Sequence, residues 1–144
     1  MELDELAFLI ARGGWPGALD LSGDYALQQA RNYFEAIVHA DISRVDGVWR
    51  GPTRAAALLR SYARMVGTQV KLSTIAADMR EAEAATLSVD SIASYLAALE
   101  NIFVIEEAGN WSPRLRARTA VRSSRTHYFT APSIAVAAFD AADS

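Results

Sequence analysis

The sequence predicts a mainly α-helical domain: a winged helix-turn-helix-like core with an N-terminal helical extension and a small β wing. Three observations predict it. Three helical patterns follow one another from Thr53 with short links. The third, over residues 86–100, runs directly into IFVIEE at 102–107, a stretch β-branched and aromatic enough to be a strand. Extended segments near 114–118 or 127–130 can then return to pair with it, which is the order of a winged helix. With 144 residues and 51% apolar content, the chain is long enough for one real core. It divides into 1–52, an N-terminal helical pair and linker, and 53–144, a winged-helix-like domain with a terminal helix near 132–140.

Each element has its own signal. LDELAFLIAR at 3–12 places Leu3, Leu6, Ala7 and Ile10 on one helical face, and GGWPG at 13–17 stops it. Trp15 reads as a plug beneath that turn. A second helix is expected from near Asp24 to Val45, with Tyr25, Ala26, Gln29, Tyr33, Ile37 and Ala40 recurring every three or four residues. DGVWRGP at 46–52 is a punctuated link. Helix 53–66 takes Thr53 as N-cap, an apolar stripe of Ala56, Leu59, Ala63 and Val66, and Gly67 as its stop. Ser73 is the expected cap of a short helix that turns Ile75, Ala76 and Met79 inward. In the third helix Ile92, Tyr95, Leu96 and Leu99 form the buried side.

Chemistry is harder to find. The outward positions of the third helix, Ser88, Asp90, Ser91, Ser94, Ala97 and Ala98, include no arginine or lysine, the donors that usually read base edges. Net charge is −3, which gives no general pull toward polyanions. The charge is nevertheless polarised. Arg114, Arg116, Arg118, Arg122 and Arg125 lie in a stretch without acids, and the rest of the chain carries nine basic against seventeen acidic residues. In an extended segment Arg114, Arg116 and Arg118 share one face. These arginines are candidate contacts for a protein partner or, as the alternative, for weak and sequence-tolerant DNA binding through the wing. A homo-oligomer is also open.

No cysteine is present, the two histidines, His39 and His127, sit in no short metal-ligand pattern, and GxxxxGK[ST] does not occur. His39 and Asp41, two apart, do not share a helical face, and adjacent Glu106 and Glu107 point to opposite sides of a strand. Glu81 and Glu83 read as solvated connector residues. No catalytic residue, metal or cofactor is expected, and no ATPase activity. No apolar run is long enough for a membrane span, and acids at Glu2, Asp4 and Glu5 stand where a signal peptide needs basic residues, so a cytoplasmic protein is expected.

RGGWPGAL at 12–19, ADIS at 40–43, LLRSYARMVGTQVKLSTIAADM at 58–79, TLSVDSIASYLAALENIFVIEE at 86–107 and YFTAPSIAVAAF at 128–139 together resemble the C-terminal region of bacterial and archaeal ATP-binding proteins of the AAA-14/DUF4143 type. The resemblance implies an accessory, regulatory or interaction domain whose partner is an N-terminal P-loop ATPase domain missing from this chain. The family's turn arginine and glycines fall on Arg12, Gly13 and Gly14, its aspartate on Asp41 and its later glycine on Gly67. Thr126 and Ala131 depart from the lysine and aspartate usual in that family.

Overall fold

The structure, a computed structural model, describes residues 2–109 and 125–141. It is mainly helical, with a two-stranded antiparallel sheet. In chain order come α1 (Leu3–Arg12), a single 3₁₀ turn (Pro16–Ala18), α2 (Gly23–Ala36), a π-helical turn (Ile37–Asp41) and α3 (Ile42–Arg44). After a link follow α4 (Pro52–Arg64), α5 (Leu72–Ala82), α6 (Val89–Asn101), β1 (Ile105–Ala108), β2 (Thr126–Phe129) and α7 (Pro132–Asp140).

The first helix forms where its pattern expects it, with its stripe turned outward. Leu3, Leu6, Ala7, Leu9 and Ile10 are exposed, while Phe8, Ala11 and Arg12 are half-buried. α1 packs on α7 and α2. Gly13 then stands at φ +71°, where a methyl group would lie 2.5 Å from Ser133 Oγ. That close approach lets Trp15 Nε1 donate to Ser133 Oγ at 3.0 Å while its ring meets Tyr33, centroids 4.8 Å apart.

The expected second helix is interrupted. Its buried residues are Ala26, Ala30, Phe34, Ile37 and Val38; of the expected row Ala26 and Ile37 are buried, Gln29, Tyr33 and Ala40 are half-buried, and Tyr25 is exposed. The π turn widens the spiral so that Ile37 and Ile42, five apart, are both fully buried. Strict 3.6-residue periodicity would have turned one of them away.

Two expected caps are corrected. α4 begins at Pro52 with Gly51 as N-cap, because proline's fixed φ suits the first helical position and its missing N–H costs nothing there. Thr53 is therefore already helical. α5 begins at Leu72 after Lys71, since Leu72 packs on the core, and Ser73 lies inside the helix. The expected apolar stripe of α4 holds at Leu59 and Ala63 but not at Val66, which is 43% exposed beyond the helix end. α6 begins later than expected, at Val89; Ser88, expected within the helix, is its N-cap, its hydroxyl accepting from Ser91 N at 3.1 Å. Ala98, expected outward, is buried on the same helix.

β1 is shorter than expected, because residues 102–104 form a turn; it pairs with β2 in the register Ile105↔Phe129, Glu106↔Tyr128, Glu107↔His127. One apolar core runs from Ala30 in α2 to Ala138 in α7. Phe34, Leu58, Leu59, Tyr62, Ile75, Met79, Ile92, Leu99, Ile105 and Ile134 are its fully buried centre. None of the described helices is long and apolar enough to cross a membrane.

Candidate functional site

The turn from α6 into β1 is built to a recognisable pattern with one unusual residue. Val104 N donates to Leu99 O at 3.0 Å, and Phe103 N donates to Glu100 O at 3.0 Å. These are the two hydrogen bonds of a Schellman C-cap, completed by buried Val104 and Leu99. The left-handed residue such a cap requires is normally glycine. Here it is Phe103, at φ +58° and 80% exposed. A side chain in that conformation costs about 1–2 kcal/mol. The bend directly after β2 locks it: Thr130 Oγ1 donates to Phe103 O at 2.6 Å and Thr130 N to Val104 O at 3.1 Å. A large aromatic ring is thus held in solvent on a strained backbone, at the end of a sheet whose outer side also carries Glu106 and half-exposed Tyr128.

The inner side of the sheet is closed. His127 is buried, with Nε2 3.3 Å from Val70 O and Nδ1 3.5 Å from Glu107 Oε1. Its ring meets Tyr62 edge-on, and Tyr62 in turn meets Phe129. Tyr62 Oη donates to Tyr128 O at 3.4 Å. Burial above all, then the negative charge of Glu107, pushes the Tyr62 phenol well above its ordinary pKa, so it stays a neutral donor. A histidine, a carboxylate and a phenol meet here, but beneath the sheet and packed between α4 and β2. This cluster holds the sheet against α4.

A second cluster covers one side of α6. Arg50, 2% exposed, reaches from the link before α4. Its guanidinium donates to Ile42 O at 2.8 Å, to both Asp46 oxygens at 2.8 Å, and to Ser94 Oγ at 3.0 Å. It also lies 5.6 Å from the Tyr95 ring centroid. The hydrogen bonds from Arg50, first, hold the Asp46 carboxyl down at about 2. Ser94, expected to be a free outward position, is therefore engaged. A third network joins α4 to α5: Arg64 donates to Asp78 and Glu83, Arg60 donates to Glu83 at 2.7 Å, and buried Ser61 donates to Asp78. Glu83 is 10% exposed in its side chain, which corrects the expectation of a solvated connector.

The remaining sequence candidates separate. Arg114, Arg116, Arg118 and Arg122 lie outside the described residues. Arg125 Nη1 stands 3.6 Å from Glu107 Oε2. Arg12 bonds its neighbour Gly13 O, Asp41 belongs to the π turn, and Gly67 stands at φ +76° just past α4. His39 pairs with Glu35 at 3.1 Å on the rim of a shallow cleft of about 160 Å³, lined also by Val38, Thr53, Ala56 and Arg60. That is below the ~300 Å³ at which pockets begin to enclose a small molecule. Among the described residues no three or more His, Cys, Asp or Glu side chains are grouped as metal ligands. Sequence reasoning missed Phe103 and Arg50. The only signal for Phe103 was the lack of glycine or proline where a helix had to reverse into a strand within a few residues.

The chain matches, over residues 3–144, the model of a domain of unknown function, DUF8612, and belongs to that family. No curated protein and no solved structure matches it. The membership overturns the resemblance to the AAA-14/DUF4143 region, and the role as an accessory piece of a P-loop ATPase falls with it. The motifs that carried the resemblance have local causes. Gly13 is required by the approach of Ser133, Gly67 by a left-handed turn, and the helical runs by one buried core. Any helical domain of this size uses such punctuation.

Proposed function

We propose that this member of the DUF8612 family is a non-catalytic protein-binding module, docking its partner at the Phe103 turn of a winged-helix-like core. The observation that carries the reading is Phe103 itself: an 80% exposed ring at φ +58°, where glycine would relieve the strain and lose the ring. Exposed aromatic side chains on rigid supports are the usual anchors of protein interfaces. The winged-helix reading is supported by backbone bonding around β2. Its outer edge accepts the link between α4 and α5, with Gly67 N donating to His127 O at 2.7 Å and His127 N to Thr68 O at 3.1 Å. In this reading that link, which is not itself a strand, takes the place of the short first strand between the first two helices of the core. In this reading 53–144 is the binding unit and 1–52 its brace. The closed His127 cluster and the paired charges of the Arg60–Arg64 network support a non-catalytic role.

The test is a photo-crosslinking benzophenone side chain placed at 103 in the source cell, with the same side chain at exposed Glu81 as control. The expected result is one protein captured from 103 and not from 81, with its association lost in Phe103→Ala. Identical capture patterns from the two positions would remove the proposal.

A further inference from the structure

The sheet beside Phe103 has one edge in use and one edge open. His127 N and His127 O are both bonded to the link after α4, so the backbone of His127 faces away from β1. Thr130 N, by contrast, donates to Val104 O at 3.1 Å, across to the β1 side. With Glu106 set opposite Tyr128, the alternation of an antiparallel ladder makes those two a hydrogen-bonded pair. Ile105 and Glu107 then turn their N–H and C=O groups to the other edge of β1. β1 pairs with β2 alone, and among the described residues no donor or acceptor answers those groups. An open strand edge is a template for a further strand.

The geometry points to an extended, arginine- or lysine-bearing segment of the partner protein, added to the sheet along the β1 edge beside Phe103. This rests on the reading of Phe103 as a docking anchor. Ring and edge are held in one frame by Thr130, whose Oγ1 and N donate to Phe103 O and Val104 O. In such an addition main-chain bonds supply attachment, and the side chains beside the edge supply the choice. Here those side chains are acidic. Glu106 is exposed beside Tyr128, and Glu100 is exposed at the end of α6, its carbonyl accepting from Phe103 N. Among the described residues no cation pairs with either, whereas Glu107 meets Arg125 and His127. Burial first, then Glu107, Glu100 and Glu106, raise the Tyr62 phenol, so three carboxylates converge on this end of the sheet. They select against a second copy. In the register that uses both Ile105 and Glu107, a copy pairing by the same edge would set Glu106 directly opposite Glu106, and like charges there repel. A basic strand sets a cation at that position.

Fluorescence anisotropy of the full chain with three short labelled peptides tests it. One alternates leucine with arginine, one carries glutamate in place of arginine, and one is the arginine peptide with its backbone N–H groups methylated. The arginine peptide should bind, and the other two should bind at least about tenfold more weakly. Phe103→Ala should weaken the arginine peptide about tenfold, and Glu100→Lys with Glu106→Lys should shift the preference to the glutamate peptide, with the thermal midpoint showing the fold intact. Glu81→Lys should change nothing. Equal binding of the methylated peptide removes the added strand, and indifference to the paired glutamate changes removes the basic partner; either overturns the inference. So does a failure of all three peptides to bind, or self-association of the chain that excludes the arginine peptide. Capture from a benzophenone at 103 in the face of those failures leaves the Phe103 reading standing without this inference, whereas loss of that capture removes both.

Discussion

At Phe103 the backbone and the side chain ask for opposite things. The Schellman turn asks for glycine, and burial of an aromatic ring asks for a core position; the residue satisfies neither. Replacing Phe103 by glycine should therefore raise the free energy of unfolding by about 1 kcal/mol, the relief of left-handed strain less the entropy glycine adds to the unfolded chain. Phe103→Ala keeps the strain and should leave stability nearly unchanged. Urea unfolding of the three proteins checks this, and a destabilised Phe103→Gly would mean that the ring holds the fold. Leu99 is the counterpart on the same turn. It is fully buried, so Leu99→Ala should cost roughly 2–5 kcal/mol. The sequence showed Leu96 and Leu99 clearly, because helical spacing marks buried positions. It hid Phe103, because nothing in a run such as ENIFVIEE says which residue will take φ above zero. It also hid Arg50, since a lone arginine in a glycine- and proline-marked link reads as solvated until its carbonyl partners are brought round it.

Among the elements, the ends of α7 and the pairing of the sheet were legible, and the course of 23–44 was not. Pro132 marks a helix start plainly. A π turn leaves no comparable mark, because it shifts the apolar positions only from Ile37 onward, and the spacing of Tyr33, Ile37 and Ala40 reads as if the helix ran on regularly. The α1 pattern was read correctly as one apolar face, yet periodicity alone does not say whether a face is covered by its own chain. Between α4 and α5 the acids matter more than their connector position suggested. Glu83→Ala strands Arg60 and Arg64 with one partner fewer each and should cost roughly 1–3 kcal/mol in urea unfolding. Acid should act through Asp46 and Asp78. Arg50 hydrogen bonds lower Asp46 from 3.8 to about 2; for Asp78 burial opposes the shift, and hydrogen bonds from Arg64 and Ser61 outweigh it. With both folded-state values depressed, the unfolded chain takes up protons first. Their stabilisation is thus complete above about pH 4 and is lost as pH falls toward 2. Asp46→Asn should flatten that part of the stability–pH curve while leaving its slope above pH 5 unchanged.

For the whole molecule the decisive fact is that a single core joins both ends of the sequence. α7 buries Ile134, Ala137 and Ala138, and it packs on α1 and α2 from the first part as well as on α4. Arg31 of α2 reaches Asp140 at the end of α7 at 3.0 Å, and Trp15 donates to Ser133 at its start. The first 52 residues are a wall of the core that the later helices need. A chain cut to 53–144 would uncover α7 along the side now held by α2, and would lose Phe34, Ile37 and Ile42 from the fully buried centre. Losing three such side chains removes roughly 5–9 kcal/mol of burial, comparable to the total stability of a domain this size. The full chain should therefore unfold in one transition, with far-ultraviolet dichroism and tryptophan fluorescence coincident in urea. The 53–144 fragment should lack that cooperative transition and bind a hydrophobic dye. Adding a 1–52 peptide in trans should restore the transition if the two parts meet only through this core. Two separated unfolding steps in the full chain, or a fragment that melts sharply by itself, would show that the helices after Thr53 carry their own core and that 1–52 only leans against it.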